Sequence, residues 1–400
     1  MKKNKPADKI QDLQFFGEYG GVNPSISDSS TFTYLAGKTM GEVFDGARQG
    51  CYLYSRHTNP STSYLGEALA QMEFTKGSVL TASGMAAIST TILQICNSGD
   101  EIICSRTIYG GTFAFMKNFL PNFNIKTKFV DTTNIKAIKE ALTNKTKIIY
   151  CELMSNPLLE ISDIEEISKI SKNNNIKLIV DNTFTPLIFS PIKLGADIVI
   201  HSLTKFINGS SDTVGGVICA NESFIESLID VNSGSSMLLG PVMDSVRASS
   251  ILKNLRTLHI RMKKHSENAS YLSKRFFDDG LKVIYPGLSN HPQHQLINRQ
   301  MNEDFGYGGM FVIDTKSESK SNLLMEEMQK NNLGYLAVSL GFYKTLFSSP
   351  GLSTSSEIPE LERLNMGLSD GLIRVSIGLD NDIERTYKKM ISCFKKVKIL

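Results

Sequence analysis

The chain has 400 residues, with 43 lysines and arginines against 40 aspartates and glutamates. Because the two signs are interspersed, the sequence offers no basic face for a nucleic acid. It also has no run of about 18 apolar residues that could span a membrane, and the basic residues 1–5 are not followed by the apolar stretch of a signal peptide. We therefore expect a cytoplasmic protein that is long enough for two or three domains.

Changes in composition divide the chain into three regions. Residues 1–58 are irregular and rich in glycine, serine and threonine, which indicates an arm rather than an independent core. In residues 59–250, helical stretches alternate with strand-like apolar runs, which occupy residues 101–104, 147–151, 177–180, 197–200 and 215–219. This alternation predicts an α/β domain with a mostly parallel sheet covered by helices on both faces. Residues 251–400 contain a helical stretch and strand-like runs at 309–313 and 372–376, which predict a smaller α+β domain.

Two strand-like runs bring a reactive side chain to the expected ligand edge of the sheet. Residues 177–180 end at Asp181, and the carboxyl ends of such strands are where α/β sheets bind ligands. The run 197–200 leads through Ser202 and Thr204 to Lys205. An amine that a rigid strand carries into an apolar interior loses its charge more readily than one in water. Lys205 is therefore a candidate nucleophile.

A third run predicts an anion site. Residues 79–82 read as a strand, and Ser83, Gly84 and Met85 follow as a glycine turn and a helix start. The free N–H groups at such a helix start suit a phosphate. An imine-forming amine, a carboxylate for a pyridinium nitrogen and an anion site are together what pyridoxal phosphate needs. Taken singly, each feature has an ordinary structural explanation: a solvated lysine, a turn or capping aspartate and a glycine turn.

A series of motifs then follows in order along the chain. They occupy residues 54–62, 83–88, 109–113, Glu152 with 156–157, 181–183, 201–205 and 372–378. In residue type and order they resemble the Cys/Met-metabolism family of pyridoxal-phosphate enzymes, over nearly the whole chain from about Thr31. The resemblance implies fold type I, the fold of pyridoxal-phosphate-dependent transferases. Its large domain has a mostly parallel sheet flanked by helices, and a smaller C-terminal α+β domain and an N-terminal arm complete it.

The resemblance also implies roles for three catalytic residues. Lys205 holds the cofactor covalently and moves protons, and Asp181 keeps the ring nitrogen protonated. Tyr109 stacks on the ring and protonates the leaving sulfur; the alternative is a stacking aromatic without a proton role. The implied cofactor-binding residues are Tyr54, Arg56, Ser83, Gly84, Met85, Tyr109, Glu152, Asn156, Asp181, Thr183, Ser202, Thr204 and Lys205.

For the substrate, the resemblance implies that Arg374 binds the α-carboxylate in a bidentate fork, with Ser339, Asn156 and Tyr54 nearby. In this family the residues at the positions of Tyr54 and Arg56 reach a neighbouring subunit's phosphate site. The active site then requires a homodimer, and a homotetramer is expected beyond it. The alternative is that Tyr54 and Arg56 form a local surface pair.

The reaction is harder to choose than the cofactor. Leu53 and Lys344 stand where cystathionine γ-lyases place glutamates, and neither attracts the distal ammonium of cystathionine. Residues 285–294 and 337–357 resemble methionine γ-lyases of the plant-type and related bacterial branch. Some other methionine γ-lyases carry a cysteine at the position of Gly111. The resemblance favours α,γ-elimination of L-methionine to methanethiol, 2-oxobutanoate and ammonia.

The sequence is also compatible with two other functions. One is γ-replacement or elimination of the O-acetylhomoserine sulfhydrylase or cystathionine γ-synthase/lyase type, which uses the same cofactor residues. The other is a non-catalytic protein that only binds pyridoxal phosphate; it has no need for Tyr109 or Arg374.

Several residues have no assigned role in the site. The six cysteines are scattered without metal-ligand spacing, so we expect reduced core thiols and no metal site. His57 lies at the pocket rim or faces solvent. Arg256 and Arg261, on a helical stretch, are expected to be solvated.

Overall fold

Seven strands form the larger of two sheets in this computed structural model, which describes residues 5–44, 50–351, 361, 363 and 366–400. The strands in chain order are β1 (Gly77–Thr81), β2 (Glu101–Ser105), β3 (Lys126–Val130), β4 (Thr146–Glu152), β5 (Lys177–Asp181), β6 (Ile198–Ser202) and β7 (Gly216–Ala220). Their order across the sheet is β1-β7-β6-β5-β4-β2-β3. Strand β7 runs antiparallel to both neighbours, and every other pairing is parallel. The predicted mostly parallel sheet is confirmed.

Helices cover both faces of this sheet because its strands are apolar on both sides. The helices of residues 5–300 are α1 (Pro6–Gln11), α2 (Gly37–Phe44), α3 (Pro60–Glu73), α4 (Gly84–Ile95), α5 (Gly110–Ala114), α6 (Ile135–Ala141), α7 (Ile164–Asn173), α8 (Glu222–Ile229), α9 (Ser235–Leu239), α10 (Ser245–Leu255), α11 (Leu258–Asp278) and α12 (His294–Gln300). One core packs α3, α7, α10 and α11 against the sheet, and a second packs α4, α5 and α8 against the opposite face.

A second, smaller sheet follows in the C-terminal part. Its strands are β8 (Val283–Ile284), β9 (Met310–Asp314), β10 (Tyr335–Leu336), β11 (Leu346–Ser348) and β12 (Leu372–Ser376), in the order β10-β11-β12-β9-β8. Helices α11, α13 (Glu318–Lys330) and α14 (Ile383–Lys396) share its core. The expected fold class is confirmed. The domain limits at residues 58 and 250 stay predictions, and residue 250 lies inside α10.

The register of the parallel strands brings polar side chains to one edge of the large sheet. Glu152, the last residue of β4, pairs with Asp181, the last residue of β5, and Asp181 pairs with Ile200 of β6. The carboxyl ends of three neighbouring strands therefore open on the same crevice.

Two further expectations can be compared with the fold. The cysteines are all free thiols; five are buried and Cys51 is exposed, so the expectation of core thiols is confirmed for five of the six. Within the described ranges, none of the helices combines the length and the apolar character needed to cross a membrane.

Candidate active site

A cavity of about 400 Å³ opens at the carboxyl ends of the central strands. All the predicted site residues except Tyr54 and Arg56 line it. The lining also includes six residues that sequence reasoning did not single out, Ile88, Met154, Phe184, Val214, Val338 and Leu340. These six are all apolar, and only their position in the folded chain identifies them.

The N-terminus of α4 forms one side of the cavity. The Ser83 side chain caps the helix by accepting a hydrogen bond from Ala86 N–H at 3.0 Å. The N–H groups of Gly84 and Met85 lie in the first turn, where a helix has no internal acceptors for them. A Cβ atom on Gly84 would lie 2.7 Å from Ser202 Cβ, so β6 approaches closely only because residue 84 is glycine. This approach places an oxygen-bearing side chain beside free N–H donors, as an anion site requires.

Lys205 follows β6 and points its amine into the cavity. Its Nζ donates to Ser339 Oγ at 3.0 Å. Burial, and after it the positive charge of Arg374, lowers the pKa of Lys205 to about 8. A much larger fraction of the amine is therefore uncharged near neutral pH than for a lysine in water. The predicted weakening of its charge is borne out.

Asp181 is held at both carboxylate oxygens. Its Oδ1 accepts from Thr183 N–H at 3.0 Å, and its Oδ2 accepts from the Tyr150 hydroxyl at 3.1 Å. Tyr150 was not predicted as a functional residue, because its position inside a strand is typical of an ordinary core aromatic.

Glu152 connects two parts of the site. Its Oε1 accepts from Tyr109 N–H at 2.8 Å, and its Oε2 accepts from Asn156 N–H at 3.1 Å. Burial, followed by the negative charge of Asp181, raises the pKa of Glu152 to about 8, and the two N–H donors oppose this rise. One carboxyl group thus fixes the start of α5, where Tyr109 stands, and the turn that carries Asn156.

Arg374 reaches the cavity from β12 of the smaller sheet and is only 1% exposed. Its Nη1 donates to Asn156 Oδ1 at 3.2 Å and its Nη2 donates to Ser339 O at 3.0 Å. Its Nε has no hydrogen-bond partner among the described residues. Burial lowers the pKa of Arg374 to about 10, which leaves the guanidinium charged at neutral pH. A buried cation with an unused donor suits an incoming carboxylate.

Tyr54 and Arg56 are not brought to this cavity within the chain. Both are exposed; Arg56 Nη1 donates to Met237 O at 2.8 Å, and its guanidinium carbon lies 5.7 Å from the centre of the Tyr54 ring. His57 beside them is half-buried and lines a separate cavity of about 310 Å³ together with Arg56. Burial, and after it the charge of Arg56, lowers the pKa of His57.

One expectation outside the site is wrong. Arg261 is not solvated: its guanidinium donates to the backbone carbonyls of Phe206, Ile207 and Asn254. Among the described residues, backbone carbonyls in the loop after Lys205 have no backbone donor and are bonded by Arg261 instead. The periodicity of the sequence does not predict this contact. Arg256 is exposed, as expected, and bonds Asn23 at 2.6 Å.

Leu53, Gly111 and Lys344, the positions that bear on the choice of reaction, are not among the residues that line the cavity. Leu53 precedes Tyr54 in the arm, and the Lys344 ammonium lies 5.4 Å from the centre of the Tyr335 ring. At Gly111 an added Cβ would lie 2.6 Å from Tyr109 Cε1. The glycine therefore makes room for the present position of the Tyr109 ring. Of residues 337–357, those from 352 on lie outside the described part of the chain.

Comparison with known proteins decides the family. Residues 10–386 match the model of the family described as Cys/Met metabolism PLP-dependent enzyme. The chain belongs to this family. Its members depend on pyridoxal phosphate, so the cofactor prediction is confirmed, and the chain is a carbon–sulfur lyase of this group. The cavity fits the cofactor, since it combines a weakly basic amine, an oriented carboxylate and the N–H groups beside Gly84.

Three relatives define the range of similarity. The methionine gamma-lyase of Arabidopsis thaliana is 41% identical over 399 residues, which cover 98% of this chain and 90% of the relative. The cystathionine gamma-lyase of Dictyostelium discoideum is 37% identical over 368 residues, 90% of each chain. A solved structure from Campylobacter jejuni, described as an O-acetylhomoserine (thiol)-lyase with a pyridoxyl-lysine-phosphate at position 205, superposes with a TM-score of 0.90 at 26% identity. It covers 98% of this chain and 100% of its own.

Proposed function

We propose that the enzyme carries out α,γ-elimination of L-methionine, releasing methanethiol, 2-oxobutanoate and ammonia. The observation that carries this proposal is the apolar character of the lining residues around the catalytic groups. Met154, Phe184 and Leu340 are buried in the cavity wall, while Val214 and Val338 are exposed at its mouth. A thioether methyl group gains dispersion contacts from such a wall and needs no charged partner.

The carboxylates in the cavity offer little attraction to a second substrate ammonium. Both oxygens of Glu152 accept backbone N–H groups, and both oxygens of Asp181 accept hydrogen bonds. Cystathionine, with its distal ammonium, is therefore a poorer fit than methionine. The 41% identity to a plant methionine gamma-lyase supports the same choice.

We assign each role in the reaction to a residue that lines the cavity. Pyridoxal phosphate, when bound, supplies the electron sink that makes the substrate Cα–H acidic. Arg374 binds the substrate α-carboxylate, and the Lys205 amine removes the Cα proton and then moves a Cβ proton. Asp181 would hold the ring nitrogen of the cofactor by accepting its hydrogen bond. The Tyr109 hydroxyl, at the open side of the cavity, protonates the leaving sulfur.

The proposal includes a second copy of the chain. Tyr54 and Arg56 are exposed and separate from their own chain's cavity, so they complete the phosphate site of a partner in a homodimer. Pairing of dimers gives a homotetramer. A cytoplasmic location belongs to the same proposal, because five buried free thiols suit a reducing compartment.

The deciding experiment incubates the purified holoenzyme with L-methionine alone and measures 2-oxobutanoate and methanethiol. We expect both products in equal amounts, and none from the Lys205→Ala variant. The competing function is γ-replacement on O-acetylhomoserine, the substrate in the description of the Campylobacter jejuni structure. Turnover of O-acetylhomoserine with sulfide, but no keto acid from methionine, would establish that function instead. Cofactor binding with no product from any sulfur amino acid would indicate a binding protein.

Mixed oligomers test the partner contribution. Arg56→Ala and Lys205→Ala are each expected to be inactive, but a heterodimer of the two has one site in which every residue is intact. Co-expression should therefore restore part of the activity. The matched control combines Arg374→Ala with Lys205→Ala, both in the same chain's cavity, and should restore none. Equal results for the two pairs would contradict the assignment of Arg56 to a partner site.

A further inference from the structure

Tyr150 is a wholly buried phenol whose hydroxyl points at a catalytic carboxylate. It lies on β4, two residues before Glu152, and its side chain is 0% exposed. The hydroxyl donates to Asp181 Oδ2 at 3.1 Å, and this is the one hydrogen bond that the phenol makes among the described residues. Burial raises the pKa of Tyr150 well above its ordinary value, so the phenol keeps its proton at every working pH.

The Tyr150 ring is surrounded by apolar side chains, which gain nothing from its hydroxyl. The ring packs in the apolar core between the sheet and helices α4 and α5, with Ile148 and Ile179 among its neighbours in that core. A phenylalanine fits such a core equally well. A buried hydroxyl is tolerated only when it is hydrogen-bonded, and here the bond goes to a carboxylate at the cavity.

The bond completes the fixation of Asp181. The Thr183 N–H holds Oδ1 at 3.0 Å, so the two donors together set the plane of the carboxylate. With one donor removed, the group can rotate about its last side-chain bond. The carboxylate must then lose this freedom when the cofactor binds, and the resulting loss of entropy lowers the affinity for the cofactor.

We propose that Tyr150 is a positioning residue that orients the Asp181 carboxylate toward the ring nitrogen of pyridoxal phosphate. Tyr150 thereby sets how tightly the apoenzyme binds its cofactor. This inference rests on the role given above to Asp181. It concerns a residue that touches neither substrate nor cofactor and acts only through Asp181.

The test uses Tyr150→Phe, which removes one oxygen and keeps the ring. Apoenzyme of the full chain is titrated with pyridoxal phosphate, and the dissociation constant is read from the visible absorbance of the bound cofactor. We expect about tenfold weaker binding, equivalent to about 1.4 kcal/mol. We also expect a lower kcat with little change in KM for the amino acid, because Arg374 and its partners are untouched.

Tyr285→Phe is the matched control. Tyr285 is 1% exposed, and its hydroxyl donates to the backbone oxygens of Gly308 at 3.1 Å and Ser266 at 3.4 Å. It lies in the core of the smaller sheet, away from the cavity lining. Removal of the Tyr285 hydroxyl should lower the free energy of unfolding as much as Tyr150→Phe does, while the dissociation constant of the cofactor stays unchanged. Equal dissociation constants for the two phenylalanine variants would overturn the proposal.

Asp181→Asn distinguishes a wrong role for Asp181 from a wrong role for Tyr150. If Asp181→Asn binds the cofactor as tightly as the wild type does, the role of Asp181 is wrong. If Asp181→Asn binds it weakly and Tyr150→Phe binds it normally, only the inference about Tyr150 fails. The double variant Tyr150→Phe/Asp181→Asn should bind no more weakly than Asp181→Asn alone. Additive losses would show that Tyr150 acts by another route and would also overturn the proposal.

Discussion

The amine of Lys205 lies 3.0 Å from Ser339 Oγ, and the backbone carbonyl of the same serine accepts a hydrogen bond from Arg374. Ser339 has a positive φ of 114°, a strained conformation for a residue other than glycine. This single residue therefore ties the two cations of the cavity to each other. The strained backbone of Ser339 therefore lies between Lys205, the proposed covalent attachment point, and Arg374, the proposed carboxylate-binding group.

The first prediction concerns pH. An amine adds to an aldehyde only when it is uncharged, and the pKa of Lys205 is lowered to about 8 by burial and by Arg374. Covalent attachment of pyridoxal phosphate to the apoenzyme should therefore become faster with rising pH, with a midpoint near 8, whereas an ordinary lysine has a pKa of about 10.4. Stopped-flow measurement of the visible absorbance gives this profile.

The sign of the Arg374 contribution can be checked in the same experiment. Arg374→Gln removes a neighbouring positive charge, which stabilises the ammonium form of Lys205 and moves the midpoint to higher pH. The midpoint should stay below about 10.4, because burial is the larger cause of the shift. A midpoint that Arg374→Gln leaves in place would contradict the coupling between the two cations.

The second prediction assigns the substrate carboxylate to Arg374. Arg374→Ala should weaken binding of L-norleucine, an unreactive analogue of methionine, by about 2 to 5 kcal/mol, as expected for a desolvated charge pair. Binding of pentylamine, which lacks the carboxylate, should change little. Difference absorbance of the bound cofactor measures both affinities.

Two further variants check this interpretation. Arg374→Lys keeps the charge but loses the planar fork, and should fall between the wild type and Arg374→Ala. Arg299→Ala removes an arginine paired with Asp163 outside the cavity and should leave both affinities unchanged. Equal weakening of both ligands by Arg374→Ala would mean a general disturbance of the cavity rather than loss of a carboxylate site.

The parts of the site that lie at strand ends were the predictable ones. Asp181 and Lys205 each follow a short apolar run, and parallel strands place such ends on one edge. Arg374, by contrast, carries no local signal, and only its motif in the family resemblance points to it. The reason is physical: its partners Asn156 and Ser339 come from distant parts of the chain.

Side-chain contacts between neighbouring strands, and between a helix and the sheet, were not predictable. Periodicity tells which face of β4 Tyr150 occupies, but not that its hydroxyl meets Asp181. The apolar wall at Met154 and Phe184 reads in sequence as ordinary core. The hydrogen bond between Glu73 and His201 likewise could not be predicted, because the two residues are 128 positions apart in the sequence.

The third prediction concerns this buried pair. His201 Nε2 lies 2.7 Å from Glu73 Oε1, which also accepts from Asn182 Nδ2 at 3.2 Å, and all three residues are buried. Glu73→Ala deprives two buried groups of their shared acceptor. It should lower the free energy of unfolding by about 1 to 3 kcal/mol, the cost of the buried His201 nitrogen left without a partner, since Asn182 Nδ2 keeps a second acceptor in Phe189 O. The midpoint of denaturant unfolding is the measurement.

Glu67→Ala on the same helix is the control for this loss. Glu67 is exposed, and its replacement should change the free energy of unfolding by no more than about 0.5 kcal/mol. Similar midpoints for the two variants would show that the Glu73–His201 bond contributes nothing to stability.

The last prediction separates the position of Tyr109 from the stability of its helix. A Cβ on residue 111 would lie 2.6 Å from Tyr109 Cε1 and 3.1 Å from Cζ, so Gly111→Ala must displace the ring. Alanine is a better helix former than glycine by about 1 kcal/mol, and α5 therefore loses no stability. We expect kcat to fall about tenfold or more at unchanged or higher thermal stability, with an altered circular dichroism of the bound cofactor. Gly41→Ala, in α2 with no atom within 4 Å of the added Cβ, should alter neither kcat nor the spectrum.

Tyr109→Phe identifies which property of the ring matters. If Gly111→Ala acts by moving the proton-donating hydroxyl, its effect on kcat should be much smaller in the Tyr109→Phe background. If it acts by disturbing the stacking of the ring, the loss should be the same in both backgrounds. A Gly111→Ala variant with normal kcat would show that the present ring position is not the one used in catalysis.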